Sequence, residues 1–273
     1  MTVRGGAGDI TEADLSARPQ DNLYLAVNSE WLKNAKIPSD RSRTSSFDGI
    51  DLNIEKELMQ DFADFADGKK DLPEVPNFEK AVALYKIARD FDRRNADGAD
   101  PIQADLHEIL GLRNFADFTL KAADFFKNGF PMPFDFSVEA DMKNTKIHSL
   151  QFGGPGTFLP DTTTYKTPAA EKLLAVLKEQ SINLLTMSGI SKSEAEDYAE
   201  KALAYDAKIA KVVKSAEEWA DYPATYNPIS RDDFADKFKS FKMDYFLGEL
   251  FAKKPERVIN IEPRYLDNAE DLF

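Results

Sequence analysis

Residues 47–66 read FDGIDLNIEKELMQDFADFA, and this stretch decides the fold class. Its apolar side chains recur at steps of three and four residues, which is the spacing of one face of an α-helix. That face consists of Phe47, Ile50, Ile54, Leu58, Phe62 and Phe65. The side chains expected to face solvent include Asp51, Glu55, Lys56 and Asp64. The stretch therefore predicts a long amphipathic helix that ends at the turn-forming residues Asp67 and Gly68.

The same spacing predicts helices along most of the chain. They run from Asp21 to the Ile37-Pro38 step, from Pro76 to Phe91, and over residues 101–111, 114–127, 168–188 and 191–218, with a further helix start at Ser230. Residues 1–20 have no such period and are expected to form an extended arm, and a loop is expected from Asn95 to Asp100. The predicted organisation is an arm with the first helix over residues 1–45, followed by a helical lobe over residues 46–273.

Alternation replaces the helical spacing at residues 134–141, FDFSVEAD, where apolar and polar residues follow one another strictly. This pattern is typical of a half-buried β-strand. A second short strand over residues 146–152 would pair with it as a hairpin around Lys143-Asn144, and residues 258–261 are a candidate for one more short strand. The expected fold class is mainly α, a multi-helix lobe with a small antiparallel β-hairpin near residues 133–153.

The composition indicates a globular protein and excludes several classes of partner. Of the 273 residues 42% are hydrophobic and 20 are Phe, which is too much core-forming material for a disordered chain. The formal net charge of -13 would repel phosphate backbones and anionic lipid headgroups, so neither nucleic acid nor a membrane surface is expected as a partner. The chain has no cysteine, no apolar leader and no apolar run near the roughly 18 residues of a membrane span. Nothing in the sequence therefore requires an oxidising compartment or a membrane.

The residue types that a self-contained catalytic site needs are sparse. The metallopeptidase motif H-E-x-x-H places two imidazoles one helical turn apart on one ion. The chain has only His107 and His148, and although His107-Glu108 begins the motif, position 111 is Gly. No serine lies in a G-x-S-x-G motif, and the glycine-rich stretches match no phosphate-binding motif. We therefore expect no catalytic residue and no bound metal in this chain.

A series of short motifs carries a family resemblance. In chain order they are Val27-Asn28-x-x-Trp31, Ile37-Pro38-x-Asp40, Ser42-Arg43 with Phe47-Asp48, Asp141-x-Lys143-Asn144, Leu159-Pro160 with Tyr165, and Tyr226-Asn227-Pro228. In order and rough spacing they resemble the opening segments of the neprilysin-type zinc endopeptidases, a family that includes bacterial oligopeptidases. The resemblance implies a metalloendopeptidase that hydrolyses oligopeptides with one zinc ion, held by two histidines and a glutamate, and a second glutamate as general base.

Those zinc ligands lie in a later part of such enzymes and are absent from this sequence. The resemblance thus implies the N-terminal, substrate-enclosing part of a cytoplasmic peptidase, inactive alone and truncated before the zinc-bearing catalytic domain, which would be its partner together with the oligopeptide substrate. The alternative is a stand-alone helical binding or scaffold module without catalysis. A truncated lobe would expose apolar helix faces, whereas an independent module is expected to be polar over its whole perimeter.

The resemblance assigns substrate binding to Arg43 and Phe47. Arg43 would be a polar contact to the peptide or to the cavity wall, because a guanidinium forms forked hydrogen bonds to carbonyl or carboxylate oxygens. Phe47 would line an apolar subsite. Two structural interpretations remain open, namely that Arg43 pairs with Asp40 or Asp48 and that Phe47 belongs to the core face of its helix. Some relatives carry an arginine where this chain has Asp51, which opposes recognition of a free C-terminal carboxylate and favours endopeptidase action.

Overall fold

A computed structural model describes the backbone of residues 2–4 and the full residues 10–41 and 43–273. The chain divides into two compact units, Met1–Ala96 and Asp97–Phe273. The boundary predicted from the sequence is a different one. It separates an arm from a lobe at residue 45, and it stays a prediction. The two units are described one after the other.

Thirteen α-helices and six short β-strands occupy the described residues, which confirms the mainly α fold class. The helices are α1 Glu12–Leu15, α2 Pro19–Asn34, α3 Ser46–Ala66, α4 Phe78–Arg89, α5 Phe91–Asp97, α6 Gln103–Leu110, α7 Phe115–Lys127, α8 Ala170–Met187, α9 Lys192–Ile209, α10 Ala216–Trp219, α11 Arg231–Ala235, α12 Met243–Leu250 and α13 Pro263–Leu272. The strands are β1 Thr2–Arg4, β2 Arg43–Ser45, β3 Asp135–Asp141, β4 Asn144–Gly153, β5 Asn227–Ser230 and β6 Arg257–Asn260. None of the described helices is long and apolar enough to cross a membrane.

The predicted extended arm is partly helical. Thr11 caps α1 by accepting the N–H of Asp14, and the Asp14 carboxylate accepts the Thr11 N–H in return. This capping box starts a helix in a stretch where apolar residues do not recur at helical spacing. Pro19 then opens α2, because its fixed φ suits the first helical position. Strand β1 pairs antiparallel with β2. The predictions for residues 1 and 5–9, and for Ser42 of the family motif, lie outside the described residues.

Helix α3 packs against α4 through its C-terminal half only. The ring of Phe62 lies 5.8 Å from that of Phe78 and 5.6 Å from that of Tyr85, and Phe65 meets Phe78 edge-on at 5.1 Å. The loop predicted from Asn95 is wrong in its first part, because α5 continues to Asp97. The Asp90 carboxylate accepts the N–H of Arg93 at 2.9 Å and so caps the start of α5.

The second unit is built on a four-stranded sheet with the order β3-β4-β6-β5. The predicted hairpin of β3 and β4 is confirmed, and β6 confirms the candidate strand near 258–261. Strand β4 pairs in parallel with β6, from Leu150↔Val258 to Phe152↔Asn260. Strand β5 is not among the elements predicted from the sequence. Pro228 is compatible with a strand here since β5 lies at an edge, where one N–H can be spared.

Phenylalanine rings form the core on one face of this sheet. Phe134, Phe152, Phe234, Phe241 and Phe246 are each at most 2% exposed, and the rings of Phe152 and Phe234 meet at 4.8 Å. Their edge-to-face arrangement matches the preference of aromatic quadrupoles. Helices α7, α11, α12 and α13 contribute the buried residues that cover the rings.

The helix predicted over residues 191–218 is interrupted. Helix α9 ends at Ile209, and α10 starts anew behind Ser215, which forms a capping box with Glu218. Between them, the backbone N–H of Lys214 donates to the buried carboxylate of Glu262 at 2.6 Å instead of continuing a helix. A contact 48 residues away in sequence therefore overrides the local apolar period.

Candidate functional site

Arg43 lies in β2, immediately before α3, with its side chain 53% exposed. Its Nε is 3.7 Å from Oδ1 of Asp48, so of the two acids considered from the sequence it approaches Asp48. Asp40 instead lies 3.6 Å from Arg41, whose guanidinium also bonds Glu55. At 3.7 Å the contact with Asp48 is longer than a hydrogen bond. Among the described residues, the forked donors of Arg43 therefore have no hydrogen-bonded acceptor.

Phe47 is in the first turn of α3, where Ser45 caps the helix by accepting the N–H of Asp48 at 3.1 Å. The Phe47 side chain is 76% exposed, so it is not a core residue in this structure. Ile50, Ile54 and Leu58 on the same face are exposed by 54%, 49% and 51%. We call these four side chains the α3 apolar face.

Arg43 and Phe47 are thus both accessible at the junction of β2 and α3, although they form no cation–π contact with each other in the described residues. Asp51, one helical turn after Phe47, is also exposed. The junction offers a cation, an aromatic ring and an acid, but no pair of nucleophile and base.

The two histidines stand apart from any metal-binding cluster. On α6 the ring Nδ1 of His107 lies 2.9 Å from the carbonyl oxygen of Gln103, and Glu108 forms an ion pair with Lys121 at 2.6 Å. His148 is exposed on β4. In residues 10–41 and 43–273, no three His, Asp or Glu side chains converge so as to hold a metal ion.

Asp141 ties two of the family motifs together. Its carboxylate accepts the N–H groups of Lys143 and Asn144 at 2.9 and 3.1 Å, the Tyr226 hydroxyl at 3.2 Å and the Arg257 guanidinium at 2.6 Å. Burial opposes ionisation, yet the hydrogen bonds from Lys143, Ser149, Tyr226 and Asn144 hold the pKa of Asp141 below its usual value. The ammonium of Lys143 in turn lies 4.8 Å from the centre of the Tyr226 ring. These contacts tie the hairpin turn at Lys143-Asn144 to Tyr226 and to Arg257 in β6.

Asp206 explains the motif of Leu159-Pro160 and Tyr165. It is 4% exposed on α9, accepts the N–H of Phe158 at 2.9 Å and receives the hydroxyl of Tyr165, which itself accepts the Leu159 N–H. Sequence reasoning did not single out Asp206. A signal was present, however, because an acid between Tyr205 and Ile209 interrupts an apolar helix face.

A cavity of about 1040 Å³ opens in the same unit. Its walls come from α7, from the chain that leads into β3 and from α9, and include Phe115, Phe126, Phe130, Phe134, Phe158 and Tyr205. The Tyr205 hydroxyl is buried and has no hydrogen-bond partner in the described residues, and burial raises the pKa of Tyr205. The cavity is thus aromatic, with one polar group left unsatisfied.

The helical lobe with its small sheet defines a metallopeptidase fold. It superposes with a TM-score of 0.80 on the crystal structure of PepO from Lactobacillus rhamnosis HN001, at 26% identity over 94% of this chain and 40% of that one. The zinc metalloprotease Zmp1 of Mycobacterium tuberculosis, crystallised with an inhibitor, has the same fold, with a TM-score of 0.80 at 19% identity over 99% of this chain and 41% of that one.

The family model for the N-terminal domain of peptidase family M13 matches residues 19–273, and the chain belongs to this family. It is 57% identical over all 273 residues to a neutral endopeptidase of Lactobacillus helveticus. The chain spans 42% of the length of that relative.

Proposed function

We propose that this chain is the N-terminal, substrate-enclosing part of a zinc endopeptidase that hydrolyses oligopeptides. The observation that carries the proposal is the exposure of Arg43 and Phe47 at the start of α3 in a chain that belongs to peptidase family M13. The relatives are a neutral endopeptidase and a zinc metalloprotease, and both are more than twice as long as this chain. The proposed setting is the cytoplasm.

The zinc ion and its ligands belong, in this proposal, to the part of the enzyme beyond this chain. Zinc would polarise the scissile carbonyl and activate the attacking water. This chain would bind and orient the peptide. The Arg43 guanidinium would donate to a peptide carbonyl or carboxylate, and the Phe47 ring would cover an apolar side chain of the substrate.

Asp51 would influence which peptide bonds of the substrate are cleaved. Its carboxylate is exposed one turn from Phe47, so a substrate with a free C-terminal carboxylate beside it would meet like charge. The expected preference is for internal peptide bonds rather than for release of C-terminal dipeptides.

The α3 apolar face supports the lobe rather than a stand-alone module. Four large apolar side chains, each about half exposed or more, lie in one row on a single helix. In an independent binding module, exposure of these apolar side chains to water would be unfavourable and would serve no function. A lobe that encloses apolar peptide segments has a use for the same surface.

A chimeric enzyme tests the proposal. This chain would replace the matching segment of the Lactobacillus helveticus endopeptidase, and cleavage of an internally quenched oligopeptide would be measured. We expect an active chimera in which Arg43→Ala and Phe47→Ala each lower kcat/KM about tenfold or more, since each removes an interaction of roughly 1.5–3 kcal/mol. Lys56→Ala, an exposed change on the same helix, is the matched control.

Three results would contradict this account. One is a folded, zinc-loaded chimera without activity, and another is unchanged kinetics in both variants. The third concerns the 273-residue chain alone, for which we expect neither stoichiometric zinc nor peptide hydrolysis. Finding both in the isolated chain would show that it carries its own catalytic site.

A further inference from the structure

Strand β3 is an edge of the four-stranded sheet, and among the described residues it pairs with β4 alone. In the antiparallel ladder the paired groups alternate along β3. The pairing of β4 with β6 shows which residues of β3 bond to β4. The Phe152 carbonyl accepts the N–H of Ile261, so the backbone groups of Phe152 point toward β6 and not toward β3. Residues 135, 137 and 139 of β3 therefore bond to β4, and the N–H and C=O groups of Phe136, Val138 and Ala140 point to the open edge.

The two faces of this edge differ in chemistry. Val138 is 53% exposed on the side that continues from the core residue Phe136. Asp135 and Glu139 are exposed on the other side, roughly 13 Å apart at 3.3 Å per residue. Neither carboxylate forms an ion pair in the described part of the chain. Edge strands are usually protected by charged side chains, a bulge, a proline or a covering element. Strand β3 carries Asp135 and Glu139 and a bulge between Ala140 and Asp141, but no proline.

The aromatic cavity begins where β3 begins. Phe134 and Asp135 belong to its lining, so a chain that ran along the edge past Asp135 would arrive at the cavity.

We propose that the open edge of β3 binds an extended peptide by strand addition, with Lys or Arg side chains placed opposite Asp135 and Glu139, apolar side chains beside Val138, and a large apolar residue in the aromatic cavity. Main-chain hydrogen bonds supply binding in this mode and alternate side chains supply selectivity. The antiparallel direction is the commoner one, and it directs the C-terminal end of the peptide to the cavity. Neither Arg43 nor Phe47 belongs to this edge, and its test does not depend on the proposed peptidase function.

The probe is the peptide VKVTVKF with blocked termini and a fluorescent label, titrated with the 273-residue chain by anisotropy at low salt. In antiparallel register its two lysines face Glu139 and Asp135, and its phenylalanine lies beyond Asp135. Two control peptides would be used, one of the same composition in scrambled order and one with N-methyl groups on alternate residues. We expect both to bind at least tenfold more weakly, because they lose the charge register or the main-chain donors.

The decisive variant is Val138→Pro. Proline removes an N–H that faces the open edge and leaves the ladder to β4 intact, so the fold should persist, which thermal unfolding would check. We expect at least tenfold weaker binding for Val138→Pro and less than threefold for Val138→Ala, which keeps the N–H. Asp135→Asn and Glu139→Gln should each weaken binding about two- to fivefold, and added salt should reduce the difference.

Hydrogen exchange locates the contact. On peptide addition we expect slower exchange at the amides of Phe136, Val138 and Ala140. Unchanged affinity in Val138→Pro, or protection confined to other residues, would overturn the proposal. Protection of the same amides by increasing protein concentration without peptide would assign the edge to a second copy of the chain and would also overturn it.

Discussion

The pair of Glu218 and Arg264 is the sharpest test of the electrostatic reasoning. The two side chains form a bidentate ion pair with distances of 2.7 and 2.9 Å, and the Glu218 carboxylate also accepts the N–H of Ser215 at 2.8 Å. Arg264 donates in addition to the carbonyl oxygens of Val212 and Val213. The pair thereby fastens α10 and the segment after α9 to the start of α13. We expect Glu218→Gln to loosen that junction.

The hydrogen bonds from Arg264, followed by that from Ser215, lower the pKa of Glu218 from 4.5 to about 2. If this difference between the folded and unfolded pKa acted fully on stability, it would contribute roughly 3 kcal/mol to the free energy of unfolding at pH 7. The two side chains are 46% and 43% exposed, however, so solvent screens much of the interaction. The expected loss of unfolding free energy in Glu218→Gln at pH 7 is therefore about 1 kcal/mol.

The pH dependence has a definite sign. Because the folded-state pKa lies below the unfolded value, the stabilisation is complete well above pH 4.5 and is lost as the pH falls toward about 2. The assay is urea unfolding of the 273-residue chain at a series of pH values between 7 and 3, followed by the combined fluorescence of Trp31 and Trp219. Glu217→Gln makes the same charge change one residue away and is the matched control. Equal stability of the two variants at pH 7 would refute the stabilising role of the Glu218–Arg264 pair. A difference in stability that stays constant down to pH 3 would refute it as well.

Two further substitutions test the packing of the second unit. Gly154→Ala should cost about 1–3 kcal/mol, because its Cβ would lie 2.5 Å from Cγ1 of Val213, whereas Gly156→Ala meets nothing within 4 Å and should be nearly neutral in the same urea titration. Tyr165→Phe should cost about 1–2 kcal/mol by leaving the buried carboxylate of Asp206 without its hydroxyl donor, and thermal unfolding equal to that of the unaltered chain would refute the role given to this bond.

Features governed by local spacing were predictable from the sequence. The helices over residues 47–66 and 114–127 follow from apolar steps of three and four, and the hairpin follows from strict alternation, because each pattern has only one regular structure that places its apolar groups on one side. The α1 capping box was also local. It was missed because Thr11 and Asp14 stand in a stretch without an apolar period.

Features governed by distant partners were not predictable in this way. No residue near Ile209 predicts the end of α9. The carboxylate of Glu262, which accepts the Lys214 N–H, lies far along the chain. Strand β5 likewise depends on β6 for its pairing. Periodicity also gave Phe47 the appearance of a core residue, because spacing shows which residues share a face but not what covers that face.

The candidate site was accessible to sequence reasoning through motif order alone. Arg43 and Phe47 came from the family resemblance, and the structure adds that both side chains are exposed. The open edge of β3 could not have been found in the same way. It requires the strand order, which places β6 rather than another strand beside β4 and leaves β3 with a single neighbour.

The parallel pairing of β4 with β6 has a consequence for synthesis of the protein. Phe152 and its partner Asn260 are separated by more than a hundred residues, so the sheet cannot close until the second strand has left the ribosome. At translation rates of about 5–20 residues per second, β4 waits several seconds or longer for that partner. The hairpin with β3 can form during this interval, and the phenylalanine face it carries remains exposed to water. A nascent chain paused between the two strands would be the form of this protein most in need of a chaperone.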